Sequence, residues 1–181
     1  MPHGAVLLVD VDSRLPNLAL MKLSRHFKAQ GRVVGLRRGV KSLPPVETVL
    51  ASCVFNAPAS ARRLELLRRH YGSALQLGGS GVDLRLRLEP EIEALAADYS
   101  LYPELGDRAL GFLTRGCPFH CPFCVVPIKE GAPRQVSDLD GLLQGRRKLI
   151  LLDDNLLAHP DALVLIEDLA RRGLAVNFNQ T

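Results

Sequence analysis

No apolar run in this chain approaches the roughly 20 residues that a helix needs to cross a bilayer, which excludes a membrane-spanning helix. The opening Met1-Pro2-His3-Gly4 passes straight into an apolar segment, without the layout of a secretion signal. Cysteine is scarce, four in 181 residues, and three of the four fall together. That distribution argues against a secreted disulfide framework and for a reducing compartment, where clustered thiols stay free for metal; the expected location is cytoplasmic. Aromatic residues make up only 5% of the chain, yet a hydrophobic content of 47% suffices to bury a core. The length fits one large or two small α/β domains.

Charge of either sign is not in large excess: the net value is +4. Most of the surplus comes from the pairs Arg37-Arg38, Arg62-Arg63, Arg68-Arg69, Arg146-Arg147 and Arg171-Arg172. Spread over several elements, these pairs mark solvated faces rather than one nucleic-acid stripe. An RNA-binding adaptor would require them to converge on one surface.

What is present is an alternation of strand and helix signals. Val6 to Asp10 reads as a buried strand, followed by turn residues through Pro16. Asn17 is placed to cap a helix carrying Leu20, Leu23 and Phe27 on one stripe, with Gly31 as its stop. Strands are expected at Arg32 to Leu36, Val46 to Phe55 and Ala74 to Leu77, with a helix from Asn56-Ala57-Pro58 through Arg69. Gly78-Gly79-Ser80-Gly81 follows the last of these strands. It is either a plain loop or a turn whose amides approach an anion or a corrin edge. Val82 to Leu105 reads as a connector with a short helix after Pro90. The pattern then restarts: a strand at Ala109 to Thr114, a helix capped by Ser137, a strand at Lys148 to Leu152, a helix from His159-Pro160-Asp161 to Gly173, and a strand at Leu174 to Phe178. Strands alternating with helices imply parallel sheets with ligands near the carboxyl ends of the strands.

One stretch is hard to explain by packing. Cys117, Cys121 and Cys124 stand at C-x3-C-x2-C spacing, interleaved with Pro118 and Pro122, which stiffen the loop. Three thiolates on such a loop can address one centre and leave one iron of a cubane without a cysteine. The other readings are a Cys3His zinc knuckle using His120, or unconnected thiols. Cys53, in an apolar strand, is most simply a small buried hydrophobe.

With Phe123 just before the third cysteine, this run resembles the cluster motif of radical S-adenosylmethionine enzymes. The resemblance implies a 4Fe-4S cluster on Cys117, Cys121 and Cys124, with S-adenosyl-L-methionine chelated at the free iron and cleaved to a 5′-deoxyadenosyl radical by an electron from a reducing donor. Phe123 would then lie near the adenine. Asp153 or Asp154 would meet the ammonium of the methionine moiety, where the family often has Gly-Gly-Glu; alternatively they form an acidic turn flanking a helix. Arg115 would offset cluster charge, and Lys129 and Arg134 are further candidates for a carboxylate or substrate contact. The substrate, small or macromolecular, is not legible.

The same resemblance implies architecture. Residues 1–105 are similar to the Rossmann or flavodoxin-like cobalamin-binding domain that precedes many such barrels. Residues 106–181 would be the first part of a (β/α)6 partial TIM barrel, so that the chain reads as a piece of a longer protein, by itself incomplete and inactive. Cobalamin is thereby a further cofactor to consider, although the Asp-x-His-x-x-Gly pattern of that domain does not occur here. The rival class is a non-catalytic zinc or iron-sulfur binding module.

Overall fold

A computed structural model describes residues 4–179; the readings that fall on Met1-Pro2-His3 and on Thr181 lie outside the described residues. The chain divides between Tyr102 and Pro103 into two units, each with its own sheet.

In the first unit, β1 (Val6–Asp10) is buried at all five positions, as an apolar run covered on both faces should be. It pairs in parallel with β2 (Val34–Arg38) on one side and β3 (Thr48–Ser52) on the other, and β3 pairs with β4 (Leu75–Gly78). The sheet order is therefore β2-β1-β3-β4, all parallel, a Rossmann-like α/β arrangement. Because the order reverses about β1, right-handed crossovers send the two helices to opposite faces. Helix α2 (Pro58–Tyr71) brings Leu64, Leu67 and Tyr71 onto Leu7, Val9, Val11, Val49, Ala51 and Cys53. Helix α1 (Leu18–Ala29) covers the other face, to which Leu8 alternates, with Leu20 and Met21 fully buried. Burying one such leucine contributes on the order of 2 kcal/mol.

The caps explain where these elements begin and end. Asn17 accepts from the Leu20 amide at 3.2 Å, and its side-chain amide donates to Ser52 Oγ at 2.9 Å, which ties the start of α1 to the end of β3. Gly31, at φ +75°, closes α1, and the Arg32 amide donates back to Phe27 O. That bond holds Arg32 in the helix cap, so β2 starts at Val34 rather than at Arg32. His26 lies 2.9 Å from Gln30 Nε2, a local bond within the cap region.

The expected connector is not a free linker. Up to Tyr102 it belongs to the first unit and is strapped along α1. Arg25 donates to the carbonyls of Ala96 and Ala97, Lys22 pairs with Glu93 at 2.9 Å, and Lys28 pairs with Asp98 at 2.7 Å. A short helix, α3 (Pro90–Glu93), does follow Pro90 as a first-position proline allows. Asp98 also accepts from Ser24 Oγ at 2.6 Å and from Ser100. Burial alone would raise its carboxyl, but the bonds from Lys28, Ser100 and Ser24 outweigh this and hold it down at about 2. Tyr102 is fully buried, and its hydroxyl donates to Asp10 Oδ2 at 3.0 Å.

The second unit is wound differently. Its parallel strands β5 (Arg108–Gly111), β8 (Lys148–Leu151) and β9 (Ala175–Phe178) lie side by side in chain order. Between β5 and β8 the chain makes a small antiparallel ribbon of β6 (Thr114–Arg115) and β7 (Arg134–Gln135), with α4 (Val126–Lys129) between them and α5 (Leu139–Leu143) after them. Helix α6 (Ala162–Arg171) connects β8 to β9. The single strand expected at Ala109 to Thr114 thus breaks at Phe112-Leu113 into β5 and β6. The cap of α5 is Asp138 rather than Ser137: its carboxylate accepts from the Gly141 amide at 2.7 Å. Among the described residues no helix is long and apolar enough to cross a membrane.

Candidate functional site

The cysteine loop hangs from a tight neck. Thr114 pairs with Gln135 and Arg115 with Arg134, so residues 116–133 leave and return at one point. Gly116 has φ +95°, and a Cβ there would fall 2.3 Å from Ala132 O. Only glycine lets the two chain segments pass so closely. The next amide, of Cys117, donates to Gly131 O at 3.1 Å, which continues the closure. Further out, the Cys124 amide donates to Cys121 O at 3.0 Å, turning the chain at Pro122-Phe123. All three thiols are free; Cys117 and Cys124 are half-buried and Cys121 is exposed.

A tripeptide after β8 braces this neck. Strands β5 and β8 end in register, Gly111 opposite Leu151, and the Leu152 amide donates to Gly111 O at 2.9 Å. The residues that follow therefore emerge beside the neck. Asp153, fully buried, accepts from the Leu113 amide at 2.9 Å through Oδ1, and from the Thr114 amide and Thr114 Oγ1, both at 2.7 Å, through Oδ2. Asp154 accepts from the Gly116 amide at 3.1 Å. Asn155 donates its side-chain amide toward Cys117 Sγ at 3.5 Å. Three consecutive side chains thus meet successive points of the loop stem, ending on the first cysteine.

These contacts separate the two aspartates. Asp153 is turned into the strand ends and holds Leu113 and Thr114 in place. Asp154 is half-buried, and its second oxygen accepts no hydrogen bond from the described residues. Burial pushes its carboxyl above the ordinary range; the Gly116 amide opposes this, the nearby Glu130 charge adds to it, and Arg115 and Lys129 oppose it. Asp154 is the carboxylate of the pair with an oxygen to offer.

The cations near the loop gather on a carboxylate that sequence reasoning passed over. Glu130 is buried, with Arg115 at 3.3 Å, Lys129 at 3.6 Å and Arg134 at 3.7 Å from its oxygens. Arg134 also donates to the Glu130 carbonyl, and Arg115 stacks 4.1 Å from the Phe112 ring centroid. Arg115, Lys129 and Arg134 are thereby held around the returning limb of the loop. Lys-Glu beside a glycine was the available signal for Glu130, but local sequence gave no sign that Arg115 and Arg134 would converge on it.

Phe123 is 90% exposed and Phe119 and Ile128 are exposed as well, so the loop presents apolar side chains outward. As a donor set for a cluster, three free thiols on one loop fit in kind. They are not gathered: among the described residues no three His, Cys, Asp or Glu side chains are placed to hold one metal ion. Cys53 belongs to the first unit, is buried, and contacts Asp12 at 3.2 Å. A scan against models of known protein families returned no match, and neither did a search of curated proteins.

Proposed function

We propose that this is a radical S-adenosylmethionine iron-sulfur protein in which Cys117, Cys121 and Cys124 hold a 4Fe-4S cluster. In this reading the second unit is the first part of a (β/α)6 partial barrel, and the first unit is the cobalamin-binding-like domain that precedes such barrels. The observation that carries it is the loop of three free thiols at the carboxyl end of a parallel strand, braced on its neighbour by Asp153, Asp154 and Asn155. Ligand-bearing loops sit at that end in barrels of parallel strands. Sequential strand order, β5-β8-β9, agrees with winding in one direction.

Bound there, the cluster would supply the electron that cleaves S-adenosyl-L-methionine, a step outside side-chain chemistry. The chain's own residues do the rest. Asp153 fixes the direction in which the loop leaves β5. Asn155 donates to the Cys117 sulfur, and a donor of this kind stabilises a thiolate and tunes a cluster's potential. Asp154 offers an oxygen to the ammonium of the methionine moiety, and Glu130 pairs with Arg115, Lys129 and Arg134 beside the loop. Phe123 supplies an apolar face for the adenine.

Anaerobic reconstitution with iron and sulfide tests the reading. The expected result is equal iron and acid-labile sulfide in a chromophore that dithionite bleaches, lost in the triple Cys117, Cys121 and Cys124 to alanine variant. Zinc retained in place of iron, with no sulfide taken up, would sink it in favour of a zinc knuckle.

A further inference from the structure

The reversal of strand order in the first unit creates a crevice at the carboxyl ends of β1 and β3, where doubly wound domains take their ligands. This chain fills that crevice with its own atoms. Asp12, just past β1, accepts from the Val54 amide at 2.7 Å, the Phe55 amide at 3.1 Å, Ser60 Oγ at 2.6 Å and Cys53 Sγ at 3.2 Å. Two successive amides leading into a helix, with a hydroxyl from its first turn, are what such a fold offers to an anionic ligand group. Here a carboxylate of the same chain has them all.

The glycine loop closes the crevice from the other side. The Cys53 amide donates to Gly78 O at 3.0 Å, the Gly81 amide donates to Cys53 O at 2.9 Å, and Ser80 Oγ donates to Val54 O at 3.0 Å. A Cβ on Gly79 would fall 2.2 Å from Cys53 O, and one on Gly81 would fall 2.6 Å from Phe55 O and 2.8 Å from Cys53 Sγ. The glycines are needed for the approach of this loop to residues 53–55. Of the two readings of Gly78-Gly79-Ser80-Gly81, the geometry favours contact within the chain over contact with a corrin edge or a phosphate. The residues at this site do not fit cobalamin: the glycine loop is held against residues 53–55, and the Val54 and Phe55 amides already face a fixed negative charge.

We infer that the first unit takes no cofactor at its strand-order reversal, because Asp12 is a built-in anion standing where a ligand's anionic group would bind. Removing that carboxylate opens the position to small oxyanions. The inference holds whatever the thiol loop binds, since it concerns the first unit alone.

The test compares the full chain with its Asp12→Gly and Asp12→Asn variants. Thermal midpoints are followed while formate or inorganic phosphate is added, with sodium chloride at matched ionic strength as control. Formate is expected to raise the Asp12→Gly midpoint by roughly 5 °C at saturation, and to leave the parent and Asp12→Asn, whose side chains fill the space, within the chloride control. An equal response of parent and Asp12→Gly overturns the inference. Hydroxocobalamin is titrated separately into the parent chain by equilibrium dialysis, a readout that needs no variant to fold. No retention is expected, and retention of one equivalent overturns the inference.

Discussion

Both units place an aspartate just beyond the first or second strand of a parallel sheet and have it accept two consecutive backbone amides and a hydroxyl. In the first unit Asp12 takes Val54, Phe55 and Ser60; in the second Asp153 takes Leu113, Thr114 and the Thr114 hydroxyl. The consequences are opposite. Asp12 reaches across a reversal of strand order and closes the crevice found there. Asp153 reaches between strands wound in one direction, pins only the root of a loop, and leaves the loop's thiols free. The same hydrogen-bonding device seals one strand end and presents the other, and strand order decides which.

The sharpest way to break this comparison is Asp153→Ala. It strands two buried amides and a hydroxyl, each costing about 1–3 kcal/mol when left unsatisfied. The expected loss is about 4 kcal/mol by denaturant titration, together with loss of iron uptake. Asp12→Ala, at a half-buried position, should cost less, about 2–3 kcal/mol. If the two losses came out equal, the asymmetry between sealing and presenting would not be energetic.

Next in size are the glycines at the two closures. Gly79→Ala and Gly116→Ala both impose φ +95° on a side-chain-bearing residue and a Cβ within 2.3 Å of a backbone oxygen. Each is expected to cost on the order of 1–3 kcal/mol or more. Gly116→Ala should lower iron uptake while leaving the first unit's near-ultraviolet signal intact, and Gly79→Ala should do the reverse.

A smaller effect sharpens the claim that the strap from Pro90 to Tyr102 belongs to the first unit. Asp98 is held at about 2, below its ordinary 3.8. A depressed carboxyl contributes stability above its unfolded value and loses it as pH falls through the folded one. Stability should therefore drop by about 1–2 kcal/mol between pH 4 and pH 2, discounted for the partly exposed Lys28 partner. Asp98→Asn should remove that slope, measured as the change in denaturant midpoint with pH. Smallest of all, Glu65→Ala removes an exposed pair with Arg69 on α2 and should move stability by only a few tenths of a kcal/mol. A larger change would mean that α2 is held by more than its apolar stripe.

Much of the architecture was legible in the chain because its signals are local. The burial of Val6 to Asp10, the Asn17 cap, the Gly31 stop and the Pro58 start depend on neighbours a few residues away, and each stands where the pattern put it. Boundaries were missed where a distant group intervened. Val46 to Phe55 was expected as one strand, but β3 ends at Ser52 because the amides of Val54 and Phe55 turn to Asp12. The connector before Tyr102, grouped with the first unit from the chain alone, is held by Arg25, Lys22 and Lys28, which lie on a helix far back in the chain and leave no local sign.

At the candidate site, sequence alone determined the thiol spacing, the stiffening prolines and the acidic tripeptide after a strand, since each is a matter of residue type and order. Only tertiary structure decided that Asp153 turns inward, that Asp154 keeps an oxygen, that Asn155 meets Cys117 and that Glu130 collects three cations. The physical reason is range. A hydrogen bond acts over about 3 Å, and parallel pairing brings together groups that the chain keeps tens of residues apart, so no local pattern records which carboxylate finds which amide.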